Sequence, residues 1–459
     1  MRAEPDADSG PIGVPDADSE EESEAPLPGQ AARISEPPRR RAHGLLWVPR
    51  VVLFVPRWVV WGAFAPMRAS LVVLQRNRVR ARFIDLFFND ARTFGIVPVA
   101  RLERFRGVFM GARLVYLDLF DAGGSLSIGA GVGDRLRQQH RLSVETGRLF
   151  GPRVVLHGWV EFRVRPRETF AGIGNPQLVF IDDPSALPTR FDALHTEDIG
   201  VISRYREDRL EWGLAAQYAV TDRLTAQIGH EILRKTFDDA ILMNEPYLTT
   251  VYDPSTLPGF ELGFLQSYSE ASFLYSNLRV SNRYVPAATP SKGWRVRGYY
   301  GLAQVLVPGG RYPRGGLDVA RFFDLHQGNR VLRLRLKVDF VQGSYQEIPF
   351  SELPSLGGAD FLRGYRNDLF RDRLAALGSA EYTFPIDTRL AAFLFADAGR
   401  VYSGLDALSV QGMRVGFGGG LQVHDGGLFI SRIQIASSID GELMFDLRFE
   451  PSFSMREYL

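Results

Sequence analysis

The chain has 459 residues, a formal net charge of +1 and 12% aromatic residues, with 46 glycines and no cysteine. Near-neutrality removes any bulk argument for nucleic-acid binding, and the missing thiols exclude disulfides and thiolate metal centres. No stretch of about eighteen uncharged apolar residues occurs, which disfavours a single-helix membrane span but not a barrel, whose strands alternate apolar and polar residues. Residues 1–42 are rich in Asp, Glu, Pro and Ser and turn basic at Arg39, Arg40 and Arg41. Such a segment buries too little surface to offset its ordering entropy and is predicted to be disordered. Its start has neither the basic head nor the apolar core of a secretory signal.

Residues 43–95 are predicted to form a short amphipathic helical segment. The stretch 45–75 is strongly apolar and tryptophan-containing, yet Pro49, Arg50, Pro56 and Arg57 interrupt it. Those breaks disfavour a spanning helix. Two readings stay open: a buried helix hairpin, or short helices lying at a membrane interface with Trp and Arg at headgroup depth.

From about residue 111 the pattern changes to period two. Leu332, Leu334, Leu336, Val338 and Phe340 share one face of a strand, and Arg333, Arg335, Lys337 and Asp339 share the other. Leu210, Trp212, Leu214, Ala216 and Tyr218 oppose Glu211 and Gln217, and Val160, Phe162 and Val164 oppose Glu161, Arg163 and Arg165. A soluble sandwich also alternates, but charge on one face of many successive strands is the mark of a transmembrane barrel with a polar lumen. Sixteen such runs can be marked, near 111–119, 125–133, 139–149, 153–170, 195–207, 208–220, 224–239, 263–281, 293–306, 318–329, 331–343, 375–386, 389–402, 413–425, 428–438 and 442–453. The predicted class is therefore all-β: a sixteen-stranded antiparallel transmembrane barrel over 96–459. Its long connections, near 171–194, 240–262 and 344–374, should face outward, and short ones such as Ile386–Arg389 should face the periplasm.

Glycine pairs, an Arg-Gly-Tyr turn and two carboxylate-bearing strands cluster near the C-terminal end. Gly357-Gly358 precedes Arg363-Gly364-Tyr365. Then come Glu381-Tyr382-x-x-Pro385, Phe395-x-Asp397-x-Gly399, the glycine-rich Gly416–Gly420, Arg432-Ile433-Gln434-Ile435-Ala436 and a phenylalanine-rich terminal strand. In this order and spacing the stretch resembles the outer-membrane insertase superfamily, which includes the barrels of BamA, TamA and two-partner-secretion transporters. The resemblance is close over about the last 110 residues.

The resemblance implies a bacterial outer-membrane barrel among lipids that include lipopolysaccharide. It implies insertion or translocation of an unfolded outer-membrane protein or a lipid through a weak seam between first and last strands. It also implies that loop 344–374 enters the barrel, with Arg363 meeting Asp397 and with Glu381 nearby. Gly364 would permit the turn and Tyr365 would pack on the wall. A buried arginine needs such a partner, since an unpaired charge in a dry interior costs several kcal/mol. The alternative for Arg363 is a solvated loop residue, and for the whole chain a passive solute pore plugged by the loop. The glycine strand would give room for that loop. Leu443, Phe445, Leu447, Phe449 and Phe453 share one face of the last strand and resemble the aromatic-ended insertion signal of such barrels. The periplasmic polypeptide-transport-associated βααββ units of the family have no counterpart in the pattern before residue 111.

No catalytic or cofactor role is predicted. The histidines, including His140, His157 and His230, are scattered without ligand spacing, and no Gly-x-Ser-x-Gly elbow occurs. Ile181-Asp182-Asp183 reads as a loop turn, with a calcium site only weakly signalled.

Overall fold

The computed structural model describes residues 87–449, except 92, 120, 180–189, 195–198, 242–244, 280–289, 327–329, 387–389 and 426–427. The readings on 1–42, on 43–86, on Ile181–Asp183 and on Phe453 lie outside the described residues.

Sixteen strands close into one antiparallel barrel. They are β1 Phe94–Glu103, β2 Gly107–Leu119, β3 Gly124–Gly133, β4 Gln138–Glu145, β5 Val154–Phe170, β6 Ser203–Thr221, β7 Leu224–Asp239 and β8 Phe264–Ser276. They continue as β9 Gly293–Val307, β10 Gly310–Asp324, β11 Val331–Val341, β12 Leu374–Pro385, β13 Leu390–Tyr402, β14 Arg414–Asp425, β15 Leu428–Ser438 and β16 Leu443–Phe449. Two particulars of the sequence reading are corrected. The runs at 195–207 and 208–220 are not two strands, since Ser203–Thr221 is continuous, and a further strand, β1, precedes the run at 111–119. The correction settles sidedness. With the split, 171–194 and 240–262 would leave opposite rims. With β1 added, the connections 171–202, 240–263 and 342–373 all follow odd-numbered strands and emerge at one rim.

Alternation places apolar side chains outward. Leu214 is 72% exposed, and Leu334, Leu336 and Trp212 are also exposed. The inward charges find each other along the wall: Arg335 with Asp318 at 2.6 Å and Lys337 with Asp339 at 2.5 Å. In the low-dielectric setting of a bilayer, backbone groups are satisfied by the closed ladder. The closure itself is brief. Among the described residues, β1 and β16 share four residue pairs, Ala100↔Phe449 to Glu103↔Asp446, whereas β1 and β2 share ten, from Phe94↔Tyr116 to Glu103↔Gly107.

The three long loops pack together through aromatic side chains. Phe350 is fully buried, with its ring centroid 4.8 Å from Phe237, 5.5 Å from Tyr205 and 5.8 Å from both Phe170 and Phe260. Phe350→Ala should cost this cluster about 3–5 kcal/mol. The expected result is faster protease cutting in 240–263 and 342–373, with the sodium dodecyl sulfate resistance of the barrel unchanged.

Candidate functional site

Loop 342–373 turns back into the lumen. Ser355–Leu356 pairs with Phe370–Arg371 as the stem of a hairpin, and the tip carries the Arg-Gly-Tyr turn. Arg363 is 4% exposed. Its Nε donates to Asp397 Oδ2 at 2.7 Å and its Nη2 to Asp397 Oδ1 at 2.7 Å, a bidentate fork. The backbone N–H of Arg363 donates to the same Asp397 Oδ2 at 3.0 Å. Nη1 donates to Glu381 Oε2 at 2.6 Å, and Nη2 also reaches Ser379 Oγ at 3.1 Å. Ser379 in turn donates to Asp397 Oδ1 at 2.6 Å. The guanidinium lies over the Phe395 ring, 3.6 Å from its centroid.

These positions follow from strand period. Phe395, Asp397, Gly399 and Val401 on β13 alternate inward, and Ser379 and Glu381 on β12 do the same beside them, with Ser379 directly opposite Asp397. Two glycines make room for the turn. Gly364 has φ +99, and a Cβ there would stand 2.5 Å from Ser437 O. A Cβ at Gly416 would fall 1.6 Å from Arg363 O. Gly399 lies under Leu356, whose Cδ1 would be 3.0 Å from an added Cβ. Tyr365 is buried edge-on against Phe370, at 5.3 Å, and its hydroxyl donates to Val415 O at 3.4 Å.

Sequence reading did not reach several members of this cluster. Glu381 is shared: Arg432 Nη2 lies 2.8 Å and Arg333 Nη2 3.3 Å from its Oε2. Arg333 is the cross-strand partner of Glu381, a register signal that becomes legible only once β11 is paired with β12. The loop tip also touches both sides of the barrel closure. Asn367 donates to Glu103 of β1 at 3.0 Å, Arg448 of β16 donates to Asp360 at 3.0 Å, and Gln434 of β15 donates to Ala359 O at 3.1 Å. Phe445 and Phe449 lie on β16, Phe449 being the partner of Ala100 on β1.

Arg366 ties the tip to a second loop. It donates to Glu245 at 2.6 Å and to Glu442 at 3.0 Å, and it lies over the Phe105 ring. Burial opposes the charge on Glu245, but Arg204 and Arg366 outweigh it and hold the carboxyl below its ordinary range. A depressed carboxylate contributes stability above its unfolded value and loses it as pH falls through the folded one. Protease nicking of 240–263 should therefore stay flat near neutral pH and rise progressively as pH falls from the ordinary carboxylate value toward the lower folded one. Glu245→Gln should raise nicking at neutral pH and flatten that acid response.

Among known proteins, the sequence profile of the Omp85 superfamily domain matches residues 118–442. A comparison with curated proteins finds no match. Among solved structures, the chain is similar to BamA from Haemophilus ducreyi lacking POTRA domains 1-3, at 14% identity and a TM-score of 0.53, covering 78% of this chain and 70% of that one. It is also similar to CdiB from Escherichia coli, at 9% identity and a TM-score of 0.52, covering 77% of this chain and 62% of that one. At such identities the likeness is one of fold.

Proposed function

Because the chain belongs to the Omp85 superfamily, whose barrels reside in the bacterial outer membrane, we propose that it assists insertion or translocation of protein or lipid there by opening between β1 and β16. Loop 342–373 serves as an inner latch on that seam. The observation that carries this reading is the position of the loop tip. It bonds to Glu103 on β1 and to Arg448 on β16, across a closure of four described residue pairs. Arg363, held by Asp397 and Glu381, seats the tip there. A short ladder opens at lower cost than the long ones elsewhere, since each pair contributes hydrogen bonds and cross-strand contacts.

The absence of cysteine makes the test clean. Leu102 and Leu447 are partners across the closure, and Ala271 and Tyr300 are partners across β8 and β9. Leu102→Cys with Leu447→Cys, oxidised, should reduce folding of an outer-membrane barrel substrate in proteoliposomes at least tenfold, with recovery on reduction. Ala271→Cys with Tyr300→Cys should leave it unchanged. Full activity with the first pair oxidised would sink the seam. Ion conductance with no substrate folding by the unmodified chain would favour the plugged pore.

A further inference from the structure

The row of inward residues that crosses the closure carries like charge. Arg101 on β1 stands opposite Arg448 on β16, and Arg448 stands opposite Arg432 on β15. Like charges directly opposite on one face of an antiparallel pair destabilise it. Arg432 is occupied by Glu381, and Arg448 has Asp446 at 3.1 Å and Asp360 at 3.0 Å.

Arg101 and Arg448 also line a lumen cavity of about 260 Å³. Arg106, Arg137, Arg163 and Arg165 complete its basic wall, against the carboxylates of Glu103 and Asp360. Further carboxylates stand among these arginines: Glu161, Glu168 and Glu207 are 3–4% exposed at the side chain, whereas Arg163 and Arg165 are each 23% exposed, and the more open Asp368 lies 3.4 Å from Arg106. Three carboxylates are shared between arginines, Glu168 between Arg106 at 2.5 Å and Arg165 at 3.9 Å among them. Glu161 serves both Arg141 and Arg163, and Glu103 serves Arg137 at 3.2 Å and Arg106 at 3.8 Å. Arg137 Nη1 and Arg163 Nε are buried without a hydrogen-bond partner among the described residues. A buried donor left without an acceptor is costly, and both of these belong to arginines that line the cavity.

We propose that this cavity binds a phosphate-bearing anion, which bridges Arg101 and Arg448 and holds the seam shut. Donors reach the space from β1, from β5, from the turn at Arg137 and from β16. That spread fits a tetrahedral oxyanion with acceptors in several directions better than a planar carboxylate. Arginine forks match phosphate oxygens in pairs. The anion is either a free phosphate compound in the lumen or the phosphorylated headgroup of a lipid reaching in at the seam. The consequence for opening rests on the seam reading above, but the binding does not.

The test uses the full chain in maltoside micelles free of phosphate. One arm titrates pyrophosphate by calorimetry. The other adds diphosphoryl lipid A, with its dephosphorylated form as reference. Saturable binding is expected in at least one arm, at least tenfold weaker in Arg137→Gln with Arg163→Gln and intermediate in Arg137→Lys. Arg206→Gln, at a surface pair with Asp208, should bind as the unmodified chain does. The bound anion should also raise the temperature at which the barrel unfolds on a gel, and this rise should vanish in Arg101→Gln. Binding of pyrophosphate alone assigns a soluble source, and binding of lipid A alone assigns the headgroup. No binding in either arm, or equal isotherms for the unmodified and doubly substituted chains, overturns the site. An active chain with an oxidised seam would remove the seam reading and leave these isotherms standing.

Discussion

Replacing either Arg363 or Asp397 by alanine is expected to release loop 342–373 while leaving the barrel closed. The two side chains are 5% and 2% exposed, so losing Arg363 strands the Asp397 carboxylate in a dry setting, and losing Asp397 leaves the guanidinium with Glu381 as its one counter-charge. The local cost should be about 3–5 kcal/mol. The ladder is untouched, so the loop leaves its seat and the barrel does not unfold. Protease nicking within 342–373 should rise sharply in each variant, and the double variant should be no worse than the worse single one, since both remove one interaction. Glu381→Ala should release the loop as well, because it leaves Arg333, Arg363 and Arg432 together without their common carboxylate. Additive effects of Arg363→Ala and Asp397→Ala, or unchanged protection in both, would mean the loop is held some other way.

Gly416→Ala should unseat the same loop with every charge intact. The added methyl would stand 1.6 Å from Arg363 O, a backbone atom that cannot swing aside as the end of a side chain can. Nicking should rise to the level of Arg363→Ala, and combining Gly416→Ala with Asp397→Ala should add little. Gly378→Ala on neighbouring β12 is the control, because its Cβ would meet only Ala398 O at 3.8 Å. Equal loop protection in both glycine variants would show that the turn does not lie against β14.

The barrel was legible because lipid and lumen impose opposite chemistry on alternate residues, as in the Leu-Arg-Leu-Arg-Leu of β11. The rule weakens where a strand leaves the bilayer. β6 has 19 residues, well beyond the roughly 9–11 that a tilted strand needs to cross. Near its loop end, Arg206, Glu207, Asp208 and Arg209 put charge on both faces, and the run read as a boundary. β1 escaped notice because Pro98 interrupts its pattern, and proline ordinarily demotes a run. At the site, the need of a buried arginine for a carboxylate pointed from Arg363 to Asp397 and Glu381, which the structure brings within hydrogen-bond reach of it. Ser379, Arg333 and Arg432 were not legible, since their meeting depends on register between strands far apart in sequence. Arg366 and Glu245 join two loops, where no periodicity exists to read.

The seating of this loop has a consequence for the order of assembly. Loop 342–373 precedes much of what holds its tip: Asp397, Gly416, Ser437 and Arg448 all come later in the chain, and Glu103 comes from the opposite end. Contacts of such sequence separation form late, after the intervening chain has been placed. The tip's bonds to Glu103 and Arg448 can therefore both be made only when the last strand has met the first. A chain arrested with β16 still unpaired should present 342–373 to protease more openly than the closed barrel does, so full protection of this loop reports completed closure of the cylinder around it.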